Sequence, residues 1–304
     1  MDKAYTDTVR LLLEIAPEVF RAECFAMKGG TALNLFVQDM PRLSVDIDVV
    51  YVKHRVGREE ALAEIGRELG TLRQRLRDRG ITVEEIKAVG DETKLFARRG
   101  RQEVKIEVNH VFRGTLLPTE TRALVPTASA LFTTALTVPT LAVAELYGSK
   151  LVAAMDRQHP RDFFDVHGMY QQFGLRPDIV ECFVGYLAGH NRPVHEVLFS
   201  RDNDLAPAFE NEFDGMARDA ITLADLQAAR NRLRRDLRAG LTETHRRFLL
   251  GLVAGAPPWD LMSCRHLVEL PAVQWKLLNL ARLKDSNPAK FRHQTEELHK
   301  GLSG

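Results

Sequence analysis

Two aspartates, Asp46 and Asp48, lie one residue apart in the otherwise apolar run VDIDVVYV, residues 45–52. Successive side chains of a β-strand point to opposite faces, so this spacing places both carboxylates on one face, about 7 Å apart between their Cα atoms. A buried carboxylate without a counter-charge is costly, and a divalent cation is its natural partner. Oxygen ligands favour Mg²⁺ or Mn²⁺ over zinc. The alternative is an edge strand whose acidic face is solvated.

A third acid, Glu107, lies in the similar run EVKIEVNHV, residues 103–111. The apolar residues of this run take one face of a predicted strand, and Glu107 takes the other together with Lys105. If this strand is the sheet neighbour of the first, Asp46, Asp48 and Glu107 form a triad that can hold two metal ions. Two such ions clamp the attacking and leaving oxygens of a phosphoryl displacement.

The step Gly29-Gly30-Thr31 precedes the acidic run and offers a place for phosphates. Two glycines let the backbone approach an anion closely, and the N–H groups at the start of the following helix point toward it. Thr31 is predicted to cap that helix. The step is not a Walker A loop, because no Gly-Lys-Ser/Thr follows it. An ordinary strand-to-helix turn is the alternative.

A sheet must position these residues, and the hydrophobic pattern predicts one in the first half of the chain. Helices are predicted over 4–22, 31–38 and 58–79, the last ending at Gly80, and strands over 43–52, 81–89, 93–99 and 102–112. The first strand would carry Arg42 and Ser44 on the same face as the aspartates, and a turn at Gly100 joins the last two. From residue 139 onward the pattern is almost entirely helical. The predicted fold class is α+β, a mixed sheet with flanking helices followed by a mainly helical lobe.

Two motifs in this arrangement resemble those of a known family. KGGTALNLF and RLSVDIDVV, residues 28–36 and 42–50, resemble the first motif of nucleotidyltransferases with a DNA polymerase β-like fold. Their form is similar to the AbiEii/AbiGii toxin branch, which includes the MenT toxins. ELYGSKLVAAMDRQHPRDFFDV, residues 145–166, is similar to the helical motif of that branch. The resemblance covers at least residues 20–170.

The resemblance implies a fold, an activity and partners. It implies a nucleotidyltransferase core domain over residues 1–125 and a helical domain over 126–304 that completes the cleft for nucleotide and acceptor. The expected activity is Mg²⁺- or Mn²⁺-dependent transfer of a nucleotidyl group from a nucleoside triphosphate to an acceptor, expected to be the 3′ end of a tRNA. The protein would be the toxin of a type IV, AbiE-like toxin–antitoxin system, with a cognate antitoxin as partner.

The resemblance also assigns roles to matching positions. The catalytic set would be Asp46, Asp48 and Glu107 as metal ligands, with Lys150 against a nucleotide phosphate. The nucleotide-binding set would comprise residues of both motifs: Lys28, Gly29, Gly30, Thr31, Arg42, Ser44, Lys150, Arg157, Asp162 and Asp165. Within this set, Gly30 and Thr31 would contact the triphosphate, and Asp162 and Asp165 would help to build the base or acceptor side of the pocket.

Helical spacing supports part of the second motif independently. Lys150 and Arg157 are two turns apart on the predicted helix, so both can face one side. Asp162 and Asp165, three residues apart, also share a face. The alternative is that Lys150 is a solvated surface lysine and that the two aspartates form a helix cap and salt bridges with Arg157 and Arg161.

The segment 229–250 carries seven arginines and two acids, a local charge of +5. Arg230, Arg234 and Arg238 recur every four residues along one helix face, and such a ridge can bind the phosphate backbone of RNA. An equally weighted alternative is a solvated helix face. Trp275 lies in an apolar helical segment and is predicted to be part of the core.

Composition bounds the remaining functions. The net charge of +1 gives no argument for a polyanionic partner, so such an argument rests on local patches. A hydrophobic content of 45% with 27% charged residues is typical of a soluble globular protein. No signal sequence and no apolar run of membrane-spanning length is evident, so we expect a cytoplasmic protein without membrane contact.

Other functions fit the same residues. The acceptor can be a protein side chain or a small molecule, or the chain can transfer a phosphoryl group to a protein. A third alternative is a protein that binds a nucleotide or a partner without catalysis. Whether α- or γ-phosphate label is transferred, and whether RNA is required, separates these alternatives.

Overall fold

The computed structural model of the protein describes residues 3–87 and 92–303. The chain forms two compact units within these ranges. The first extends to Leu146 and includes Gly215–Asp219, and the second contains Tyr147–Asp214 and the residues from Ala220 onward.

Strands of the first unit form one mixed sheet in the order β3-β4-β5-β2-β1-β7-β6. Their bounds are β1 (Phe25–Lys28), β2 (Ile47–Tyr51), β3 (Thr82–Lys87), β4 (Glu92–Arg99), β5 (Gln102–Asn109), β6 (Glu120–Ala123) and β7 (Thr137–Thr140). The pairs β2–β5 and β1–β7 are parallel, and the other neighbours are antiparallel. The acid-bearing strand β2 therefore lies inside the sheet, between β5 and β1.

One face of the sheet is apolar and covered. Val104, Ile106 and Val108 of β5 are at most 1% exposed, and α1 packs on this strand. Because side chains alternate along a strand, Lys105 and Glu107 lie on the opposite face. The predicted acids are therefore on the face of the sheet that is not buried in this apolar core.

Helices flank the sheet and make up nearly all of the second unit. In the described residues they are α1 (Lys3–Val19), α2 (Gly29–Phe36), α3 (Arg58–Asp78), α4 (Pro126–Phe132), α5 (Val143–Asp156), α6 (Pro160–Gln172), α7 (Pro177–Gly189), α8 (Val194–Leu198), α9 (Ala206–Glu212), α10 (Leu223–Gly240), α11 (Glu243–Val253), α12 (Pro271–Ser286) and α13 (Pro288–Ser303). Capping boxes at Thr222 and Thr242 start α10 and α11. Across residues 3–87 and 92–303, none of these helices combines the length and the apolarity that a membrane crossing requires.

The α+β fold with a mixed sheet first and helices afterwards is confirmed. The helix predicted over 58–79 ends where Gly80 adopts φ +72°, and Gly100 with φ +60° turns β4 into β5. Strands β1, β6 and β7 were missed. The strand predicted over 81–89 is observed up to Lys87, and its last two residues lie outside the described residues.

The first unit extends beyond residue 125, where the sequence analysis places a domain boundary. This extension includes β7, which pairs with both β1 and β6. The division of functions between a core domain and a helical domain stays a prediction.

The strand predicted over 43–52 is wrong at its start, because β2 begins at Ile47. The preceding residues pair instead with the segment Gly215–Asp219, where the Leu43 N–H donates to the Met216 carbonyl at 3.1 Å. Arg42 and Ser44 of these residues lie near the start of α2.

Candidate active site

Charged side chains form a row across four neighbouring strands. Lys28 of β1 is in register with Asp48 of β2, Asp48 with Glu107 of β5, and Glu107 with Lys94 of β4. Residues in register on adjacent strands present their side chains on the same face. We call these four residues the sheet acid row. Its two acids are direct neighbours, an arrangement that is destabilising unless cations compensate it.

A lysine ammonium lies between two of the predicted metal ligands. Lys105 Nζ is 3.6 Å from Asp46 Oδ2 and 3.1 Å from Glu107 Oε2, and Lys94 Nζ is 3.7 Å from Glu107 Oε2. Asp46 itself precedes β2, and its side chain is 42% exposed. The acids on this face therefore already attract cations from two strands.

The two neighbouring acids differ in their ionisation. Burial raises the pKa of the Asp48 carboxyl, Lys28 opposes this shift, and the nearby carboxylates of Glu107 and Asp46 add to it. For Glu107 burial acts in the same direction, but Lys105 and Lys94 outweigh it and hold the pKa below its ordinary value. Asp48 is thus the acid whose charge is least compensated by the protein.

The glycine step packs directly against this acid. Gly29 has φ +76°, and a Cβ atom there would overlap the Asp48 carboxylate, lying 2.7 Å from its Cγ. A Cβ atom on Gly30 would lie 2.8 Å from Arg42 Nη2 and 3.1 Å from Ser44 Oγ. Gly29 is therefore required by its positive φ and its approach to the acid, whereas the atoms nearest to Gly30 are the ends of two side chains.

Thr31 does not cap α2, which corrects the prediction. The helix begins at Gly29, with Lys28 at the cap position and no side-chain cap. The Thr31 hydroxyl instead donates to the Asp46 carbonyl at 2.5 Å and lies 3.0 Å from Ser44 Oγ. Thr31 therefore ties the segment before β2 to the start of α2.

The predicted shared strand face is also corrected. Because β2 starts at Ile47, Arg42, Ser44 and Asp46 are not part of the alternation that includes Asp48. Arg42 is 4% exposed and lies against Gly30, as does Ser44. The structure nevertheless brings the whole first-motif set together in one unit with Glu107 of β5. The first-motif set comprises Lys28, Gly29, Gly30, Thr31, Arg42, Ser44, Asp46 and Asp48.

The donor set fits a hard divalent cation. All the acids supply carboxylate oxygens, the ligands that Mg²⁺ and Mn²⁺ prefer. Burial and the neighbouring carboxylates raise the pKa of Asp48, so a bound cation would stabilise its charged form. The Lys105 ammonium lies between Asp46 and Glu107. As the side chains stand in the described residues, no three His, Cys, Asp or Glu groups already converge on one metal position. A metal ion bound between Asp46 and Glu107 would therefore have to displace the Lys105 ammonium.

The second motif forms a separate set in the second unit. Lys150 Nζ lies 3.2 Å from Asp162 Oδ1 and 2.9 Å from Asp165 Oδ2. Arg157 makes two hydrogen bonds to Asp162, of 2.6 and 2.7 Å. Lys150 is 7% exposed and both aspartates are fully buried. We call these four residues the helical charge cluster.

The helical charge cluster neutralises itself. Burial alone would raise the pKa of Asp162, but Lys150 and Arg157 outweigh it and hold that pKa well below its ordinary value. The alternative of a solvated Lys150 is thus wrong, whereas the salt bridge between Asp162 and Arg157 is observed. The nucleotide contacts assigned to this cluster stay predictions.

The geometry can now be compared with known proteins. A family model described as nucleotidyl transferase AbiEii toxin, Type IV TA system, matches residues 10–278, which is most of the chain. The chain belongs to the AbiEii nucleotidyltransferase toxin family. It is therefore a nucleotidyltransferase toxin of a type IV toxin–antitoxin system, as predicted.

A solved structure has a similar fold. MenT4, a nucleotidyltransferase toxin from Mycobacterium tuberculosis H37Rv, superposes with a TM-score of 0.59 at 18% sequence identity, covering 92% of this chain and 95% of that chain. At this identity the likeness establishes the fold alone. Among curated proteins, no match was found.

In this AbiEii-family chain the predicted arginine ridge is mostly engaged internally. Arg230 is 7% exposed, pairs with Asp202 at 3.2 Å and donates to the Asn203 carbonyl at 2.7 Å. Arg234 also pairs with Asp202. The two arginines therefore hold the loop before α9, and Arg238 is the exposed member of the three. RNA contact by this ridge stays a prediction.

Several residues around the acids were not assigned by sequence reasoning. Lys105 and Lys94 contact Glu107, and the Tyr5 side chain of α1 lies near Arg42 and Asp46, where burial raises the pKa of its hydroxyl. Strand alternation does place Lys105 on the face of Glu107, so a signal for it existed. Tyr5 has no such signal, because its position depends on how α1 packs.

Proposed function

We propose that this toxin transfers a nucleotidyl group from a nucleoside triphosphate to a hydroxyl of an RNA acceptor, a tRNA 3′ end, and that it does so with Mg²⁺ or Mn²⁺. The observation that carries the proposal is the register of Asp48 with Glu107 beside the close packing of Gly29 on Asp48. With such a set, carboxylates and an anion-binding backbone would lie within reach of the same phosphates.

Different residues of the first unit would have different roles in the reaction. Asp46, Asp48 and Glu107 would hold the divalent cation, which supplies charge stabilisation to the transferring phosphoryl group when bound. The backbone at Gly29 and Gly30 would accept the close approach of the triphosphate. This division is the same as that expected from the sequence.

Cationic side chains would bind the triphosphate charge. Arg42 lies against Gly30, and Lys28 adjoins Asp48 in the sheet acid row. An arginine fork can bind phosphate in bidentate fashion, whereas a lysine acts as a point charge. Both side chains lie close to the glycine step, where they would compensate the negative charge of a bound triphosphate.

In the reaction the acceptor oxygen bonds to the α-phosphorus, the bond from that phosphorus to the bridging oxygen breaks, and pyrophosphate leaves. The hydroxyl proton would pass to Glu107 or to solvent. The lowered pKa of Glu107 keeps that carboxylate ionised, which suits a metal ligand, but it also makes the group a weaker base. Catalysis would consist of positioning and of charge stabilisation rather than of covalent chemistry by the protein.

An RNA acceptor is supported by the arginine-rich segment of the second unit and by the toxin family. A toxin restrained by an antitoxin must act on an essential cellular component, and RNA is the component whose backbone an arginine-rich surface attracts. The antitoxin of the pair would be the second macromolecular partner. A cytoplasmic location stays a prediction.

The experiment is a labelling assay with the purified full chain, each of the four triphosphates labelled at the α- or the γ-phosphate, and bulk tRNA. The proposal expects α-label in the RNA, γ-label only in the released pyrophosphate and none in RNA or protein, and no transfer with EDTA. Transfer of γ-label to protein would establish a phosphotransferase instead. Transfer of α-label that persists without RNA would move the acceptor to a protein or small molecule, and triphosphate binding without any transfer would leave a non-catalytic protein.

A further inference from the structure

A cavity of about 660 Å³ lies in the second unit, and none of its lining residues belongs to either motif. It is lined by the last turns of α10, the loop into α11, the end of α13 and Phe199. Arginines dominate its polar lining: Arg234, Arg235, Arg238 and Arg246. We call this cavity the arginine pocket. None of its lining residues is acidic.

The charges of the arginine pocket are only partly compensated. Arg234 pairs with Asp202, and Arg235 pairs with Asp236. Within residues 3–87 and 92–303, neither Arg238 nor Arg246 has a carboxylate partner. The pocket therefore carries an excess of positive charge.

The two arginines without a carboxylate are held in place by other contacts. Arg246 donates to the main-chain carbonyls of Leu241, Arg238 and Leu302. The Arg238 guanidinium lies 5.5 Å from the centroid of the Phe199 ring, a cation–π distance. Both guanidiniums are thus ordered without being neutralised.

Crowding of like charges in the pocket is visible at a third arginine. Burial and the proximity of Arg238 both lower the pKa of Arg234. Its Nε is buried and makes no hydrogen bond to any described residue. An anion placed beside these guanidiniums would relieve their repulsion.

We propose that the arginine pocket binds the phosphodiester backbone of the RNA acceptor. The inference rests on the proposed RNA acceptor. The arginine fork matches phosphate geometry. The volume exceeds that needed for one phosphate, and the Phe199 ring and the leucines Leu198, Leu237, Leu241 and Leu302 offer surface for a sugar or base.

The surface around the pocket favours a long polyanion over a free phosphate. Arg235, at its rim, is 73% exposed. Its guanidinium extends the arginine-rich surface beyond the cavity. RNA backbone neutralises several arginines at once and gains affinity by release of counterions.

The test measures binding of fluorescein-labelled bulk tRNA to the full chain by fluorescence anisotropy, without triphosphate and in EDTA. These conditions separate the pocket from the sheet acid row. We expect Arg238→Gln to weaken binding about tenfold and to lower the slope of log Kd against log salt by about one. Arg238→Glu should weaken it further, and Arg238→Lys should restore part of the affinity.

Arg247→Gln is the matched control, since it removes one exposed arginine outside the pocket lining. It should change Kd less than twofold. Equal effects of Arg238→Gln and Arg247→Gln, or no binding of tRNA by the unmodified protein, would overturn the proposal. Displacement of the tRNA by an equal phosphate concentration of pyrophosphate would assign the pocket to a free anion, and displacement by polyglutamate would assign it to an acidic protein segment.

The binding result is independent of the labelling assay. Loss of tRNA affinity in Arg238→Gln together with no α-label transfer to RNA would leave the pocket standing and remove the proposed function. Transfer to RNA with unchanged affinity in Arg238→Gln would do the reverse. Circular dichroism melting of each variant establishes that it is folded.

Discussion

The sheet acid row and the helical charge cluster contain the same kinds of residues in opposite states of charge compensation. In the row, Asp48 is the acid with the least compensated charge, and its pKa is raised. In the cluster, Asp162 is enclosed by Lys150 and Arg157, and its pKa is lowered. Asp162 is fully buried, whereas Asp48 is only half-buried, so burial alone does not explain the difference.

The difference shows how the surroundings of an acid indicate its role. A carboxylate neutralised by buried partners holds its neighbours in position, since removing it would leave an unpaired buried charge. A carboxylate that lies beside other acids and the glycine step is stabilised in its charged form when a cation binds. Perturbed acids of the second kind mark functional sites more often than structural ones.

The largest effect is expected where the row is broken. Asp48→Asn should lower the rate of nucleotidyl transfer at least about a thousandfold, equivalent to about 4 kcal/mol of transition-state stabilisation, because a metal ligand is lost. The measurement is the initial rate of α-label transfer at saturating triphosphate. The control is Glu103→Gln, which should retain at least half the rate. Glu103 lies on the same strand as Glu107, is exposed, and pairs with Arg98. Equal rates in Asp48→Asn and Glu103→Gln would refute the assignment of Asp48.

Breaking the cluster should cost stability. Asp162→Asn leaves the buried Lys150 charge with less compensation, and we expect the free energy of unfolding to fall by about 3 to 5 kcal/mol. Urea denaturation measures it. Glu196→Gln, which disrupts an exposed pair with Arg192, should cost less than about 0.5 kcal/mol. An Asp162→Asn protein as stable as Glu196→Gln would show that the cluster is not a closed structural set.

Substitution of each glycine tests the close packing of the glycine step on the sheet acid row. Gly29→Ala places a methyl group into the Asp48 carboxylate at a positive φ, so transfer should fall about a hundredfold through displaced geometry. Gly30→Ala meets the terminal Nη2 atom of the Arg42 side chain, which can shift more easily than backbone, and the loss should stay below about tenfold. The ratio of kcat/KM for the two variants checks this order, and a larger loss in Gly30→Ala would reverse our assignment of the close contact.

The smallest effect is a difference in pH dependence, measured by urea unfolding in EDTA at pH 7.5 and 4.5. The pKa of Asp48 in the folded protein lies above its unfolded value of about 3.9, so ionisation of Asp48 opposes folding. Its effect lowers the free energy of unfolding as pH rises from the unfolded pKa through the folded pKa. Asp48→Asn should therefore be more stable than the unmodified protein at pH 7.5, with a smaller difference at pH 4.5.

Asp162 has the opposite sign. Its folded pKa lies below about 3.9, so its contribution is fully present above that pH and is lost as pH falls toward the folded value. The loss of stability in Asp162→Asn should be the same at pH 7.5 and at pH 4.5. A difference between the two pH values for this variant, or none for Asp48→Asn, would contradict the comparison.

Strand alternation predicted much of the first-motif site from sequence. It placed Asp48 and Glu107 on polar faces because their neighbours Ile47, Val49 and Ile106 are apolar. Alternation alone does not determine that β2 and β5 are neighbours, since parallel pairing joins strands that are distant in the chain. The strand begins only at Ile47. Of the residues before it, Leu43 pairs instead with Met216, which is far away in sequence.

The helical unit was harder to predict for the same reason. Arg230 and Arg234 have the spacing of an exposed ridge, yet Asp202 and the loop around it cover them. Trp275 has apolar neighbours and was predicted to be core, but it is 48% exposed on α12. Helical periodicity gives the spacing of a face, whereas the packing of other elements decides whether that face is covered.

The central claim is that the carboxylates of the sheet face hold a divalent cation. Titration of Mn²⁺ into the purified protein, followed by electron paramagnetic resonance of the free ion, tests it without requiring an acceptor. We expect saturable binding that weakens at least about tenfold in Asp48→Asn and is unchanged in Glu103→Gln. Binding of equal affinity and stoichiometry in Asp48→Asn and the unmodified protein would contradict the claim.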